Sequence, residues 1–148
     1  MARVVDTVAE IEIRRPRQEV AAYAANPDNA HAWCKNIEAV EWRSDPPLAV
    51  GSRLALVARV LGGRLAYAYE VRELVAGERL VMSTADGPFP METTYTWGDG
   101  GDGATRMTLR NRGEPDDYTV GVRLLAASIR RANRRDLRRL KKILETAR

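Results

Sequence analysis

Few residues in this chain can carry chemistry. His31 is the only histidine, which excludes a triad with a second orienting histidine and any multi-histidine metal site; no metal-ligand set and no cofactor motif is read. Cys34 follows three residues later, near enough on a short helix for a thiol and base pair. No Asn or Asp is evidently placed to orient the ring, and packing at a helix end accounts for both residues. Asp136 and Asn133 are the remaining candidates, because both fall inside the apolar stripe of the run RRANRRDLRRLKKILE, residues 130 to 145. A carboxylate set against hydrocarbon is costly unless paired, protonated or wet. Asp136 thus implies a cavity under the helix, a buried pair with an arginine, or a rotation that lets it reach the rim. A carboxyl of raised pKa, with Tyr67, Tyr69 or Tyr95 as hydrogen-bond donors, suits general acid or base work, although burial alone raises the pKa in the same way. Asp86 is the one other acid placed to face such a space.

The element that carries Asp136 is a long amphipathic helix, expected from an N-cap at Asp116 to about Ala147, with Gly121 near its start. With Val122 at zero and about 100° per residue, Leu125, Ile129, Leu140, Ile143, Leu144 and Ala147 fall within roughly 60° of the zero line. Arg130, Arg131, Arg134, Arg135, Arg138, Arg139, Lys141 and Lys142 lie between roughly 80° and 260°, on the other side. Residues 120 to 148 hold ten Lys/Arg against two acids, a net +8, so with +4 overall the first 119 residues carry −4. These cations read as a solvated face, since Arg forms helix well and positive charge suits a helix C-terminus. The competing reading is a polyanion- or protein-interaction module. No aromatic is interleaved for base stacking, and no zinc-finger or helix-turn-helix spacing occurs, so nucleic acid is not the expected partner.

The other elements follow from alternation and turn signals. Residues 4 to 13 alternate as a half-buried strand, and Pro16 opens a helix whose Val20, Tyr23 and Ala24 stripe stops at Asn26-Pro27. A second short helix spans about Pro27 to Trp33. Six more strands are expected: IEAVEWR, SRLALVARVL, RLAYAYEVREL, RLVMSTAD, METTYTW and ATRMTLRNR. Pro46-Pro47, Gly62-Gly63, Ala76-Gly77, the GPFP turn and the GDGGDG loop punctuate them. The chain of 148 residues fits a single α+β domain, residues 1–148, in which one antiparallel sheet needs a cover. Cys34 has no partner for an internal disulfide. Asp6, Thr7, Glu10 and Glu12 break the apolar core that a signal peptide would need, so none is expected, and no apolar run of about 18 residues occurs. A soluble, cytoplasmic protein without a transmembrane segment is expected.

If each strand turns its less charged side inward, that side carries Val40, Trp42, Leu54, Leu56, Ala58, Tyr67, Tyr69, Val71, Met82 and Thr84. Met91, Thr93, Tyr95, Trp97, Met107, Leu109 and Asn111 complete it, while Arg59, Glu70, Arg72, Glu92, Arg106, Arg110 and Arg112 face out. A face rich in Tyr, Met and Thr, with one Asn, resembles the wall of a small-molecule pocket more than a Leu/Ile/Val core. Gly121 and the GPFP turn can loosen a mouth between helix and sheet.

The pieces IEIRRPRQEVAAYAANPDNAHAW, AVGSRL, VREL, GPFP, GATRMTL and DLRRLKKILE, in that order along nearly the whole chain, resemble the START-like (SRPBCC) superfamily, in its polyketide cyclase/dehydrase-type branch. The resemblance implies a helix-grip fold: a curved seven-stranded antiparallel sheet around a long C-terminal helix, two short helices closing one end, and a hydrophobic cavity between. Members bind lipids, sterols, quinones, plant hormones or polyketides, and a minority catalyse cyclisation, aromatisation or dehydration without a shared catalytic motif. Trp33 takes the family's frequent Trp position, where it packs rather than reacts. The cavity arginine of some aromatase/cyclase members has no evident counterpart facing inward.

The expectation is therefore a hydrophobic ligand, polyketide-, lipid- or quinone-like, held by Trp33, Tyr67, Tyr69, Met82, Thr84, Met91, Thr93, Tyr95, Asn111, Leu125, Ile129, Asn133 and Asp136. The alternative is a cyclase, aromatase or dehydratase with Asp136 as candidate catalytic residue acting on an enolisable polyketide.

Overall fold

A computed structural model describes residues 4–60, 63–84, 90–114 and 122–146. Val5–Ile13 forms β1, followed by α1 (Arg17–Ala25), a 3-10 turn at Pro27–Asn29 and α2 (Ala30–Trp33). The strands β2 (Ile37–Trp42), β3 (Arg53–Val60), β4 (Gly63–Val75), β5 (Arg79–Thr84), β6 (Met91–Gly101) and β7 (Ala104–Gly113) come next, and α3 (Val122–Thr146) ends the chain. Asp86, Gly62, the GPFP turn apart from Pro90, Asp116, Gly121 and Ala147 lie outside the described residues.

All seven strands belong to one antiparallel sheet in the order β1-β7-β6-β5-β4-β3-β2. It curls into a half-barrel gripping the long helix, which is the helix-grip architecture expected from the sequence. Alternation decides the faces as expected: in β1, Val5, Thr7, Ala9 and Ile13 are buried while Asp6, Val8, Glu10 and Glu12 are exposed. Register then carries one face across the sheet, from Thr7 through Asn111, Thr93, Met82 and Val71. A β-bulge between Val71 and Glu73 resets the alternation of β4, so that Leu74 pairs with Leu80 and packs on the core. Of the GDGGDG loop expected from the sequence, residues 98–101 instead extend β6, and only Asp102 (φ 52°) and Gly103 (φ 79°) turn between paired Gly101 and Ala104. Two successive positive φ values are what a tight hairpin needs, and Asp-Gly supplies them cheaply.

The helix α3 lies along β1 and against α2. Its C-terminal half is locked: Leu137, Leu140 and Leu144 are at most 4% exposed and share a core with Ile13, Val20, Trp33, Val71, Leu80 and Met107. Each such burial contributes roughly 1.5–3 kcal/mol. Polar ties reinforce it. Arg139 Nε donates to the Ala32 carbonyl (2.6 Å), Lys141 Nζ to the Glu12 carbonyl (2.8 Å), and Arg15 Nε to the Leu144 carbonyl (2.8 Å). The uniformly solvated basic face expected from the sequence is thus corrected in part. Arg131, Arg134, Arg138 and Lys142 are exposed, whereas Arg139 and Lys141 reach back to main-chain oxygens and half-buried Arg135 turns to Asp136. A long flexible side chain can lie across a helix flank and bring its charge to a neighbouring carbonyl, which a helical wheel does not register.

Candidate functional site

Towards its N-terminal half, the same helix faces the sheet differently. Leu125, Ile129 and Asn133 are only half-buried, and so are Leu56, Tyr67, Tyr69, Met82, Met91 and Tyr95 on the inner face of the sheet. Depth does not explain that accessibility away. Burial pushes the Tyr69 hydroxyl up to about 12 and the Tyr95 hydroxyl well above its ordinary range. Tyr69 and Tyr95 thus combine depth among protein atoms with partial accessibility.

A polar chain crosses this region. Asn133 of α3 donates from Nδ2 to Asn111 Oδ1 of β7 (2.6 Å), and Asn111 Nδ2 donates to Thr93 Oγ1 (2.9 Å) and to Met91 Sδ (3.4 Å). Thr93 in turn shares a hydrogen bond with the Tyr69 oxygen that favours the ionised phenol. Thr93 has one hydroxyl proton and two acceptor sites, one of them taken by Asn111, so its oxygen can serve Tyr69 as donor or acceptor. Register explains the arrangement, because Asn111 and Thr93 are directly paired across β7 and β6. Thr84 and Thr93 are buried, Thr84 pairing with Met91 in register. Tyr67 stands edge-on to Tyr69 with ring centres 6.3 Å apart, and burial raises its pKa too.

A second cluster lies nearer α2. Trp33 is fully buried and tilts against Tyr95 (5.7 Å), which is T-shaped to Trp97 (6.1 Å). Asp136 is 9% exposed and accepts at Oδ1 from the Lys35 N–H (3.2 Å) and from Arg135 (3.3 Å). Burial raises its pKa and those two partners oppose the rise. Of the options open in the sequence, an arginine pair and a buried carboxyl therefore hold together. Cys34 is buried beside Asp136, and burial first, then the Asp136 charge, push its thiol well up, which makes it a poor nucleophile. His31 is exposed, so no thiol and base pair is built. Sequence reasoning named Cys34 only as a partner of His31 and missed its place beside Asp136. It also missed the Lys35 N–H, since a main-chain donor leaves no mark on residue type.

Among the described residues no cluster of His, Cys, Asp or Glu is arranged to hold a metal ion, and no helix is long and apolar enough to cross a membrane.

The family described as polyketide cyclase/dehydrase and lipid transport matches residues 1–145. Curated protein sequences give no match. Among solved structures, the fold is similar to the Zhui aromatase/cyclase from Streptomyces sp. R1128, at 14% identity and TM-score 0.81, over 96% of this chain and 94% of that one. A Thermus thermophilus protein is similar at 20% identity and TM-score 0.79, over 96% of this chain and 99% of that one. The di-domain ARO/CYC BexL from the BE-7585A biosynthetic pathway is similar at 16% identity and TM-score 0.78, over 95% of this chain but 46% of that one, so this chain spans about half of its length. At these identities the likeness is one of fold.

Proposed function

We propose, from the premise that the chain belongs to the polyketide cyclase/dehydrase and lipid transport family, that it binds a mostly apolar small molecule between the sheet and the N-terminal half of α3. The ligand class is polyketide-, lipid- or quinone-like. One observation carries this reading: Tyr69 and Tyr95 are deep enough for burial to raise their pKa, yet they stay partly accessible, as do Leu125 and Ile129 opposite. Apolar walls with a few convergent polar groups are the usual make-up of a small-molecule site. The Tyr69 hydroxyl suits a carbonyl or hydroxyl oxygen of the ligand. The neutral fluorophore N-phenyl-1-naphthylamine should bind the folded protein saturably, and Tyr69→Trp, with its circular dichroism unchanged, should weaken binding at least about tenfold. Equal binding by the variant removes Tyr69 from the wall.

A second reading, catalysis of the cyclase or dehydratase kind, is favoured by the raised pKa of Asp136 and by the family's description. Asp136→Asn should then abolish turnover of an enolisable polyketide-like substrate while leaving fluorophore binding intact. The ties from Lys35 and Arg135 serve a structural role equally well, and binding therefore stands as the leading conclusion.

A further inference from the structure

A separate cleft of about 580 Å³ opens at the end of the half-barrel closed by the short helices. It lies between α1 with the Pro27–Asn29 turn on one side and the β2–β3 connection and β4–β5 turn on the other. Ala21, Leu48 and Leu74 give it aliphatic walls, and Trp42 and Trp97 add two indoles. None of Tyr67, Tyr69, Met82, Thr93, Asn111 or Asn133 lines it, so it is not the hollow under α3. Trp97 of the cleft is T-shaped to Tyr95, its neighbour on the inner face of β6.

Its charge sets it apart from the rest of the molecule. In a chain of net charge +4, no Lys or Arg lines this cleft, and the single ionisable side chain there is Asp28. Trp42 donates from Nε1 to Asp28 Oδ1 (3.0 Å), which fixes the indole edge against the carboxylate and leaves Asp28 Oδ2 without a hydrogen-bond donor among the described residues. The partly accessible indole of Trp42, with Trp97 only 4% exposed beside it, one carboxylate and no Lys or Arg among the lining residues form a surface that attracts positive charge on an apolar body. Indole is the strongest of the aromatic partners for an ammonium group. A volume of this size suits a molecule of a dozen or so heavy atoms rather than a protein segment.

We infer that this cleft is a second binding site, for a small organic cation: a quaternary or protonated amine carried on an aromatic or aliphatic body. The ammonium group sits by Asp28 and Trp42, and the apolar body lies along Leu48, Leu74 and Ala21. This site is independent of the ligand proposed for the hollow.

The three indole N–H resonances of the full chain provide the test, since Trp42 and Trp97 line the cleft whereas Trp33 is buried against Tyr95. Benzyltrimethylammonium is titrated against its neutral isostere neopentylbenzene. The expected result is a saturable shift of the Trp42 signal, with or without Trp97, binding of the isostere about tenfold weaker, and loss of that preference in Asp28→Asn. Ala22→Phe, at an exposed position on the cleft wall, should block the cation, while Ile129→Phe, under α3, should leave it unchanged. Equal affinity for cation and isostere, shifts confined to Trp33, a preference that survives Asp28→Asn, or no saturable shift would overturn the assignment. The Ile129 control keeps failure here distinct from failure of the hollow.

Discussion

The two halves of α3 face one sheet and behave as different materials. Around Leu137, Leu140 and Leu144 the helix meets Ile13, Val20, Trp33 and Met107 with almost no residual accessibility, and side chains from α3 and from the approach to α1 tie it to main-chain oxygens. Around Leu125, Ile129 and Asn133 it meets tyrosines, methionines and an Asn–Thr chain that remain half-open. One amphipathic stripe thus does two jobs. Close packing fixes the helix at one end, while at the other its inward side chains stay partly accessible. On the proposed reading, the large rings of Tyr67, Tyr69 and Tyr95, with hydroxyls that need partners, keep the sheet from closing on the helix.

The largest test of that contrast is a pair of truncations. Leu140→Ala should cost ~2–5 kcal/mol of unfolding free energy, measured in urea, because it opens a void in a packed region. Ile129→Ala should cost about 1 kcal/mol, since its side chain is already partly accessible. Equal losses would mean that the N-terminal half is packed as tightly as the other.

The polar chain sharpens the comparison. Asn111→Ala should lose ~1–3 kcal/mol, because Thr93 and Asn133 are left with unmade bonds in a partly enclosed place. Asn111→Asp, which keeps the acceptor for Asn133 but not the donor to Thr93, should cost further stability as its charge develops on raising the pH.

Asp136 gives a smaller and signed effect. Its folded pKa is raised by burial, so folding favours the protonated form. That contribution is fully present at acid pH and is lost as pH rises through the raised value. Asp136→Asn should therefore show a higher Tm than the parent at pH 7, with the difference shrinking as the pH is lowered towards the ordinary carboxylate range. A constant difference, or a lower Tm at pH 7, would show that the Lys35 and Arg135 contacts outweigh burial. Smallest of all, replacing exposed Arg131, Arg134, Arg138 and Lys142 with Gln should leave stability within about 0.5 kcal/mol. Loss of retention on a polyanion column in that variant would support an interaction role for the basic face, and unaltered retention would count against it.

Period-two alternation and turn residues made the sheet readable, because each strand has one wet face and each hairpin demands particular φ values. The amphipathic stripe likewise made α3 readable, and with it the inward placement of Asn133 and Asp136. What the pattern could not convey was contact. Asn111 and Thr93 are joined by register across β7 and β6, whereas Tyr69 comes to Thr93 from β4, on the far side of β5. The bulge at Val71/Glu73 turns Leu74 inward against simple alternation. Arg139 and Lys141 lie on the wheel's polar side and still bind main-chain oxygens. The cleft beside Asp28 was invisible for the same reason, since its lining comes from short helices, a long connection and a turn that share no period.

The central claim is that an apolar molecule lodges under the N-terminal half of α3. Intermolecular NOEs from bound N-phenyl-1-naphthylamine in the methyl-labelled protein locate it directly. The account predicts contacts to the methyl groups of Leu125 and Ile129 and to the ring protons of Tyr69 or Tyr95. Contacts restricted to an exposed residue such as Leu124, which is 77% accessible, would contradict it.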